Sequence, residues 1–439
     1  MTATVAIDSY FTPVPDEIEA IDLVVEGALP PELNGRYLRN GPNPKPGAPP
    51  AHPFVEPGMV HGVRLKDGAA LWYRNRWVRT SLFTESATRV RPDGSLDLAA
   101  CHANTHVIEH AGRTFALVES GLPYELSLDL DTVGPCDFQG RLTTAMTAHP
   151  KADPVTGDLH FFGYGVRPPF LTYHRLSASG ELVQSVPVEV PGPTMMHDFA
   201  ITEDYLVWMD LPVVFERTEL GVPYRWSDSY GARLGLMPRK GGPVRWFEIE
   251  PCYVFHVGNA RQDAAGRVVL DAVRYDRATF RNEWDLAAGK EKTGSVPGQM
   301  LHRWTLDPRT GVRSEQQLDD WSLEFPTLNE NLVGLQNRFL YLVGGGSVVK
   351  FDTVNGERGV HRLPDGAKPG EAVFVPAENA RAEDDGWLLT IVSNRIAGTA
   401  DLLVLDATDV AARPVATVHL PRWVPSGFHG SWVPESVVR

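Results

Sequence analysis

Cysteine is scarce in this chain: three among 439 residues, Cys101, Cys136 and Cys252, odd in number and far apart. That excludes a disulfide framework and fits a reducing compartment, so a cytoplasmic protein is expected. No C-x-x-C occurs, which removes thiolate zinc. No stretch approaches the 18 apolar residues that a membrane-spanning helix needs. The first ten residues, Met1 to Tyr10, have neither a basic nor an apolar region of the kind a secretory signal carries. There is no Lys/Arg run, and 41 basic against 55 acidic residues give a net charge of −14, which opposes a phosphate backbone. Nucleic acid is therefore not an expected partner. Common enzyme signatures are missing too: no Gly-x-Ser-x-Gly elbow, no phosphate loop, no His-Glu-x-x-His. The Gly344-Gly345-Gly346 run lacks dinucleotide-fingerprint spacing and reads as a hairpin or a close-packed strand.

Glycine (40) and proline (36) are abundant and evenly spread. They punctuate short apolar runs such as Phe115–Val118, Leu206–Met209, Val268–Leu270, Phe339–Val343, Leu388–Val392 and Leu402–Leu405. Each run is rich in β-branched or aromatic side chains and stops at Gly, Asn, Asp or Pro, which is the pattern of strands. Turn signals lie beside them at Pro92-Asp93-Gly94, Asp153–Gly157, Asp307–Gly311 and Pro364-Asp365-Gly366. Helical periodicity is confined to short pieces around Pro15–Ala20 and Ala278–Ala288. Many short strands over this length must avoid open edges, and radial closure is one solution. About seven blades of roughly 40–60 residues would fill the chain. No linker divides it, so one all-β domain over residues 1–439 is expected.

Four of the fourteen histidines stand out by their settings. His149 precedes a Pro turn and reads as the end of a strand. His197 lies in Met195-Met196-His197-Asp198-Phe199, and His256 follows the apolar run Tyr253-Val254-Phe255. His429 lies in Gly427-Phe428-His429-Gly430, where flanking glycines let the backbone pass close to a neighbour. All four read as strand-like positions. They are 48, 59 and 173 residues apart, roughly multiples of one blade, so four blades could deliver one imidazole each to a common axis. Four neutral imidazoles suit Fe, Zn, Cu or Ni. A four-ligand structural zinc site would be closed, whereas an octahedral iron site keeps two positions open for O2, water or substrate. Imidazole ligands also need their second nitrogen oriented. Glu119, Glu324 and Glu371 sit in apolar or Pro-rich contexts and are candidates for that task, with solvated turn carboxylates as the alternative. Asp198 reads as a structural hydrogen-bond acceptor.

These segments resemble the carotenoid cleavage oxygenase family, which includes the lignostilbene dioxygenases and the retinoid isomerohydrolase. The resemblance runs from Leu33-Asn34-Gly35-Arg36-Tyr37-Leu38-Arg39-Asn40-Gly41-Pro42 through Gly58-Met59-Val60-His61-Gly62 and Arg76-Trp77-Val78-Arg79-Thr80 to Gly427-Phe428-His429-Gly430. It implies a seven-bladed β-propeller whose active-site face is capped by a few short helices and loops. It also implies one Fe(2+) per chain, held by His149, His197, His256 and His429. The family's outer glutamates match Glu119, Glu324 and Glu371. Thr105, in Asn104-Thr105, matches a Thr whose methyl crowds the open coordination position. His61, His102 and His106 match no ligand position and read as structural.

The implied reaction is cleavage of a carbon–carbon double bond with O2 to give two carbonyl products. Family members acting on phenolic stilbenes or phenylpropenes carry a Lys just before the first outer Glu and a Tyr from an upstream insertion. Here Val118 takes the Lys position, and the segment between Arg79 and His102 is short, with no equivalent Tyr. Without a cation to hold a phenolate, a carotenoid or apocarotenoid fits better than a stilbene or phenylpropene. The expected partners are an apolar small molecule and O2, with peripheral membrane contact open and no obligate protein partner. Met209–Glu216 reads either as tunnel lining or as core. A non-oxidative isomerohydrolase and an iron-free binding propeller are the other classes on this scaffold, and retention of all four histidines argues against the second.

Overall fold

In the computed structural model, seven sheets succeed one another along the chain and close into a ring, a seven-bladed β-propeller. The structure describes residues 9–48, 51–216, 222–287 and 298–435. The expectation that Met1–Tyr10 forms no secretory signal therefore lies outside the described residues, apart from Ser9 and Tyr10.

Each blade is an antiparallel meander. Blade 2 spans His106–His110 to Thr132–Pro135, and blade 3 spans Lys151–Ala152 to Leu182–Val188. Blade 4 runs from Ala200–Ile201 to Arg245–Glu248, blade 5 from Tyr253–Gln262 to Arg313–Gln317, and blade 6 from Glu324–Thr327 to Arg358–Arg362. Blades 1 and 7 are built from both ends of the chain. In blade 1 the late strand Gly430–Pro434 pairs with Gly35–Pro42, Tyr37 lying opposite Trp432. In blade 7 the early strand Val25–Gly27 pairs with Ala416–His419. Two crossed seams thus lock the ring, and neither requires a free sheet edge between its ends.

The six apolar runs read as strands all fall in strands, and Gly345 and Gly346 form the two-residue turn of the Phe339–Gly344/Ser347–Asp352 hairpin. Both have φ above +50°, the left-handed region that a tight hairpin turn demands. Met209, Leu211 and Val213 are core, packed with Leu234, Leu236 and Tyr253.

Two readings need correction. Pro15–Ala20 is not helical: Glu19–Ile21 is an edge strand on Ala69–Trp77, and Ile18 N–H donates to Asn75 Oδ1 at 2.8 Å. Six residues cannot offset the cost of starting a helix when a sheet edge already offers partners. The expected helix near Ala278–Ala288 forms, spanning Arg277–Ala287, the one α-helix among the described residues; position 288 lies outside them. The second correction concerns the histidines. Only His256 lies inside a strand; His149 and His197 sit in loops entering blades 3 and 4, and His429 directly precedes Gly430–Pro434. A loop at the entry to an inner strand turns the side chain toward the axis, which a residue locked in the pleat does only on alternate positions.

Candidate metal centre

The inner strands of all seven blades meet at the ring's axis, and most of the selected residues stand at those strands or their entries. Blades 3, 4, 5 and 1 supply His149, His197, His256 and His429. Blades 6 and 7 supply Glu324, first residue of its inner strand, and Glu371, between Ala367–Pro369 and Val373–Pro376. Blade 2 supplies Thr105, just before His106–His110, and Glu119 from the turn after Arg113–Leu117. The last histidine interval, 173 residues, is three blade steps around the ring.

The four imidazoles converge: one nitrogen from each lies within 4.8 Å of the others. His149 Nε2 and His197 Nε2 are 3.0 Å apart. Three of the rings are oriented from behind through Nδ1. His197 Nδ1 meets Glu119 Oε2 at 2.5 Å, His256 Nδ1 meets Glu324 Oε2 at 2.6 Å, and His429 Nδ1 meets Glu371 Oε1 at 2.9 Å. An ionised carboxylate only accepts, so each Nδ1 carries the proton and each Nε2 lone pair is turned toward the centre. His149 has no carboxylate behind it; its backbone N–H donates to Thr147 Oγ1 at 3.1 Å, and Thr147 N–H is tied to Phe162 O at 2.7 Å.

This donor set fits a divalent ion. Two nitrogens bound at right angles about 2.1 Å from one ion would be about 3.0 Å apart, which is the spacing of His149 and His197. The charge agrees. Glu119, Glu324 and Glu371 are bonded by no Lys or Arg among the described residues. Burial pushes the Glu324 carboxyl up to about 7 and raises that of Glu371, while it drives His256 down to about 3 and His149 and His429 well below the usual imidazole range. Of the four, His197 alone is raised: burial lowers it, but Glu119, Asp198 and Glu324 together more than offset that. Three buried acids face four imidazoles, three of them held neutral, so the set is short of positive charge, and a metal ion is what it accommodates.

Several residues that complete the site gave no signal in the sequence. Tyr164 donates its hydroxyl to Glu119 Oε1 and Tyr275 to Glu324 Oε1, both at 2.6 Å. Each comes from the neighbouring blade, and no local pattern marks it. Glu371 takes Gly430 N–H at 2.8 Å instead of a phenol. Phe325 adopts φ +53°, a conformation costing about 1–3 kcal/mol in a non-glycine residue. That backbone turns its N–H onto the Glu324 carboxylate and stacks its ring on His256 at 4.9 Å. Asp198 accepts from Phe199 N, Val257 N and Lys151 Nζ at 2.7–2.8 Å, so it ties the loop bearing His197 to the strand bearing His256.

Thr105 touches the centre through its backbone: its carbonyl accepts the His429 N–H at 3.1 Å, while its hydroxyl donates to Asn104 Oδ1 at 3.1 Å. His106 packs 5.2 Å from the His429 ring and bonds Ala148 O through Nδ1 at 2.8 Å. His61 bonds the Tyr73 hydroxyl. Two different environments adjoin the imidazoles. A cavity of about 320 Å³ touches His149, His256 and His429 and has a mixed lining, with Lys151, Asp198 and Glu330 beside Ile201, Val333 and Phe374 on its walls. Elsewhere aromatic rings run in contact from His197 through Phe255, Phe280, Trp284 and Phe54 to Phe428, next to His429, with centroids 5.3–5.9 Å apart. One end of this arch is at the centre, and the other is the residue preceding His429 in sequence.

Comparison with known proteins agrees with the architecture. The family model for the retinal pigment epithelial membrane protein, RPE65, matches residues 11–434. A carotenoid cleavage oxygenase of Mycobacterium tuberculosis is 41% identical over 98% of this chain and 97% of its own length. A carotenoid 9,10(9′,10′)-cleavage dioxygenase of Arabidopsis thaliana is 35% identical, covering 98% and 90%. An isoeugenol monooxygenase of Pseudomonas nitroreducens is 31% identical, covering 97% of each. The crystal structure of cobalt-substituted Synechocystis apocarotenoid oxygenase superimposes with a TM-score of 0.84 at 26% identity, covering 97% of this chain and 98% of that one. The chain belongs to the RPE65 family, that of the carotenoid cleavage oxygenases.

Proposed function

We propose that this protein is a non-haem Fe(II) dioxygenase that splits a carbon–carbon double bond of a carotenoid or apocarotenoid. Both atoms of O2 enter the products, so one alkene and one O2 give two carbonyl compounds and no reductant is consumed. The observation that carries the reading is the convergence of four Nε2 atoms with three Nδ1 positions taken by carboxylates. His149, His197, His256 and His429 would hold one ferrous ion per chain, which when bound supplies activation of O2.

The chain's own residues do the rest by placement. Glu119, Glu324 and Glu371 fix three ring planes and make their imidazoles better donors. Tyr164 and Tyr275 pin two of those carboxylates in turn. Thr105, beside His429, is the residue proposed to crowd an open position at the centre. No side chain is required as general acid or base. The aromatic arch is the wall against which a conjugated chain reaching the centre would lie, ring faces against π-system.

Val118 supports the polyene over the phenolic substrate. It is buried among Val107, Ala116 and Tyr124; among the described residues no Lys or Arg bonds Glu119, and the nearby Arg89 is tied to the Ala100 and Ser120 carbonyls. Similarity to an isoeugenol monooxygenase supports the second reading, oxidative cleavage of a stilbene or phenylpropene. A single unit over residues 1–439 is the proposed catalytic body, acting in the cytoplasm. No described helix is long and apolar enough to cross a membrane, and peripheral contact with a lipid surface would suit an apolar substrate.

The test is product analysis of iron-loaded protein under 18O2 with an apocarotenal and with resveratrol in parallel. Apocarotenal cleavage with label in both carbonyl products is expected. Label in one product only overturns the dioxygenase reaction, and cleavage of resveratrol alone overturns the substrate class.

A further inference from the structure

We propose that His52 is a specificity-determining residue that donates a hydrogen bond from Nε2 to an oxygen at the end of the substrate remote from the cleaved double bond. This rests on the polyene-cleavage reading above and adds to it which polyenes are taken.

His52 joins the aromatic arch at its middle. Its ring lies 4.8 Å from Phe54, edge to face, and 5.6 Å from Trp284. Phe54 in turn touches Phe428, the neighbour of His429, at 5.6 Å. His52 is thus two ring contacts from Phe428, the residue preceding His429 in sequence.

Its protonation follows from its bonds. The Phe54 backbone N–H donates to His52 Nδ1 at 3.2 Å, so Nδ1 carries a lone pair. Burial also drives the imidazole down to about 4, so the ring is neutral at pH 7. The single proton of a neutral imidazole must then sit on Nε2, which is a donor and nothing else. That nitrogen is shielded from solvent and has no hydrogen-bond partner among the described residues. The other polar groups bonded along this wall are satisfied: Tyr253 donates to Met195 O, Tyr164 to Glu119 and Tyr275 to Glu324. A buried donor left unmade is costly, and an incoming acceptor recovers that cost.

The donor is also held in place. His52 caps the short helical turn Pro53–Val55. Asn104 Nδ2 donates to Pro53 O at 3.1 Å and to Glu56 O at 2.8 Å, and Glu56 takes Ala51 N–H at 2.7 Å. Asn104 adjoins Thr105, so the loop carrying His52 is fastened to the same strand entry that borders the centre. A fixed donor at a fixed remove from the reacting position selects a chain by its length and by an oxygen at its far end. Carbonyl, ether and hydroxyl oxygens all accept; a hydrocarbon end leaves the N–H unpaired, the kind of mismatch that sites built around a hydrogen bond reject.

The test compares an apocarotenal with the hydrocarbon of the same skeleton, in wild type, His52→Phe and His52→Gln. Phe keeps the ring without the donor, and Gln restores an N–H. Binding to metal-free protein is read by quenching of tryptophan fluorescence, and turnover is read separately on iron-loaded protein. Wild type is expected to prefer the aldehyde about tenfold, the size of one hydrogen bond. His52→Phe should abolish that preference while leaving hydrocarbon affinity unchanged, and His52→Gln should recover most of it, with the change in KM rather than kcat. A wild-type protein without preference, or a His52→Phe variant that keeps it or weakens both ligands equally, overturns the proposal. Selective binding without cleavage leaves the His52 contact standing and overturns the reaction; cleavage with no effect at His52 overturns the contact alone.

Discussion

Glu324 holds His256 with one oxygen and the Tyr275 hydroxyl with the other, each at 2.6 Å, and takes the N–H of Phe325 as well. One buried carboxylate from blade 6 therefore fixes an imidazole and a phenol of blade 5. Glu324→Gln keeps the shape but offers His256 one acceptor at most. Metal affinity should fall about 10–100-fold, as is usual when an outer partner of a ligand is changed. Tyr275→Phe should cost less, because the His256 contact survives. Anaerobic titration with Fe2+ or Co2+ measures both; unchanged affinity in Glu324→Gln would show that the carboxylate does not orient the ring.

His429 depends on a backbone fit rather than on a side chain alone. A Cβ on Gly427 would stand 2.7 Å from both Arg39 Nε and Asn40 O. Arg39 donates to Pro425 O, and Asn40 pairs with Phe428 and His429 through the backbone. Gly427→Ala must therefore push this loop off blade 1, at about 1–3 kcal/mol of overpacking. A lower Tm together with weaker metal binding is expected, while Gly94→Ala, at an exposed turn in the connection from blade 1 to blade 2 with open space around it, should leave metal binding unchanged.

Acid should weaken the metal-free fold through its buried histidines. Burial drives His102, His106, His160, His174 and His302 each down to about 4, against about 6.5 in an unfolded chain. Between these values the unfolded chain binds protons that the folded one does not, so stability rises with pH across the window and falls as pH drops from 6.5 toward 4. The urea midpoint at pH 5 should be lower than at pH 7. An equal or higher midpoint would mean that these rings are protonated in the fold.

Much of this arrangement was legible in the sequence because its local chemistry is local. Strands such as Leu388–Val392 and Leu402–Leu405 are marked by β-branched runs ending at turn residues, and hairpins by Gly345-Gly346. The histidines were marked by glycine, proline and aromatic neighbours and by blade-length spacing. What failed was local too, at Pro15–Ala20, where the partner strand Ala69–Trp77 lies some fifty residues away and decides the outcome. Tyr164 and Tyr275 carried no signal because a phenol at a strand end reads as ordinary core until a carboxylate from the next blade is placed against it. The arch containing Phe54, Trp284 and Phe428 joins segments more than two hundred residues apart at one step and more than three hundred at another, and only the closed ring brings them together.

The most direct test is the metal stoichiometry of the anaerobically reconstituted protein, read by elemental analysis beside His256→Ala. One iron per chain in the wild type, and loss of both bound iron and turnover in the variant, is the predicted result. Wild-type protein that retains no iron, or a His256→Ala variant that keeps iron and activity, would contradict the account at its root.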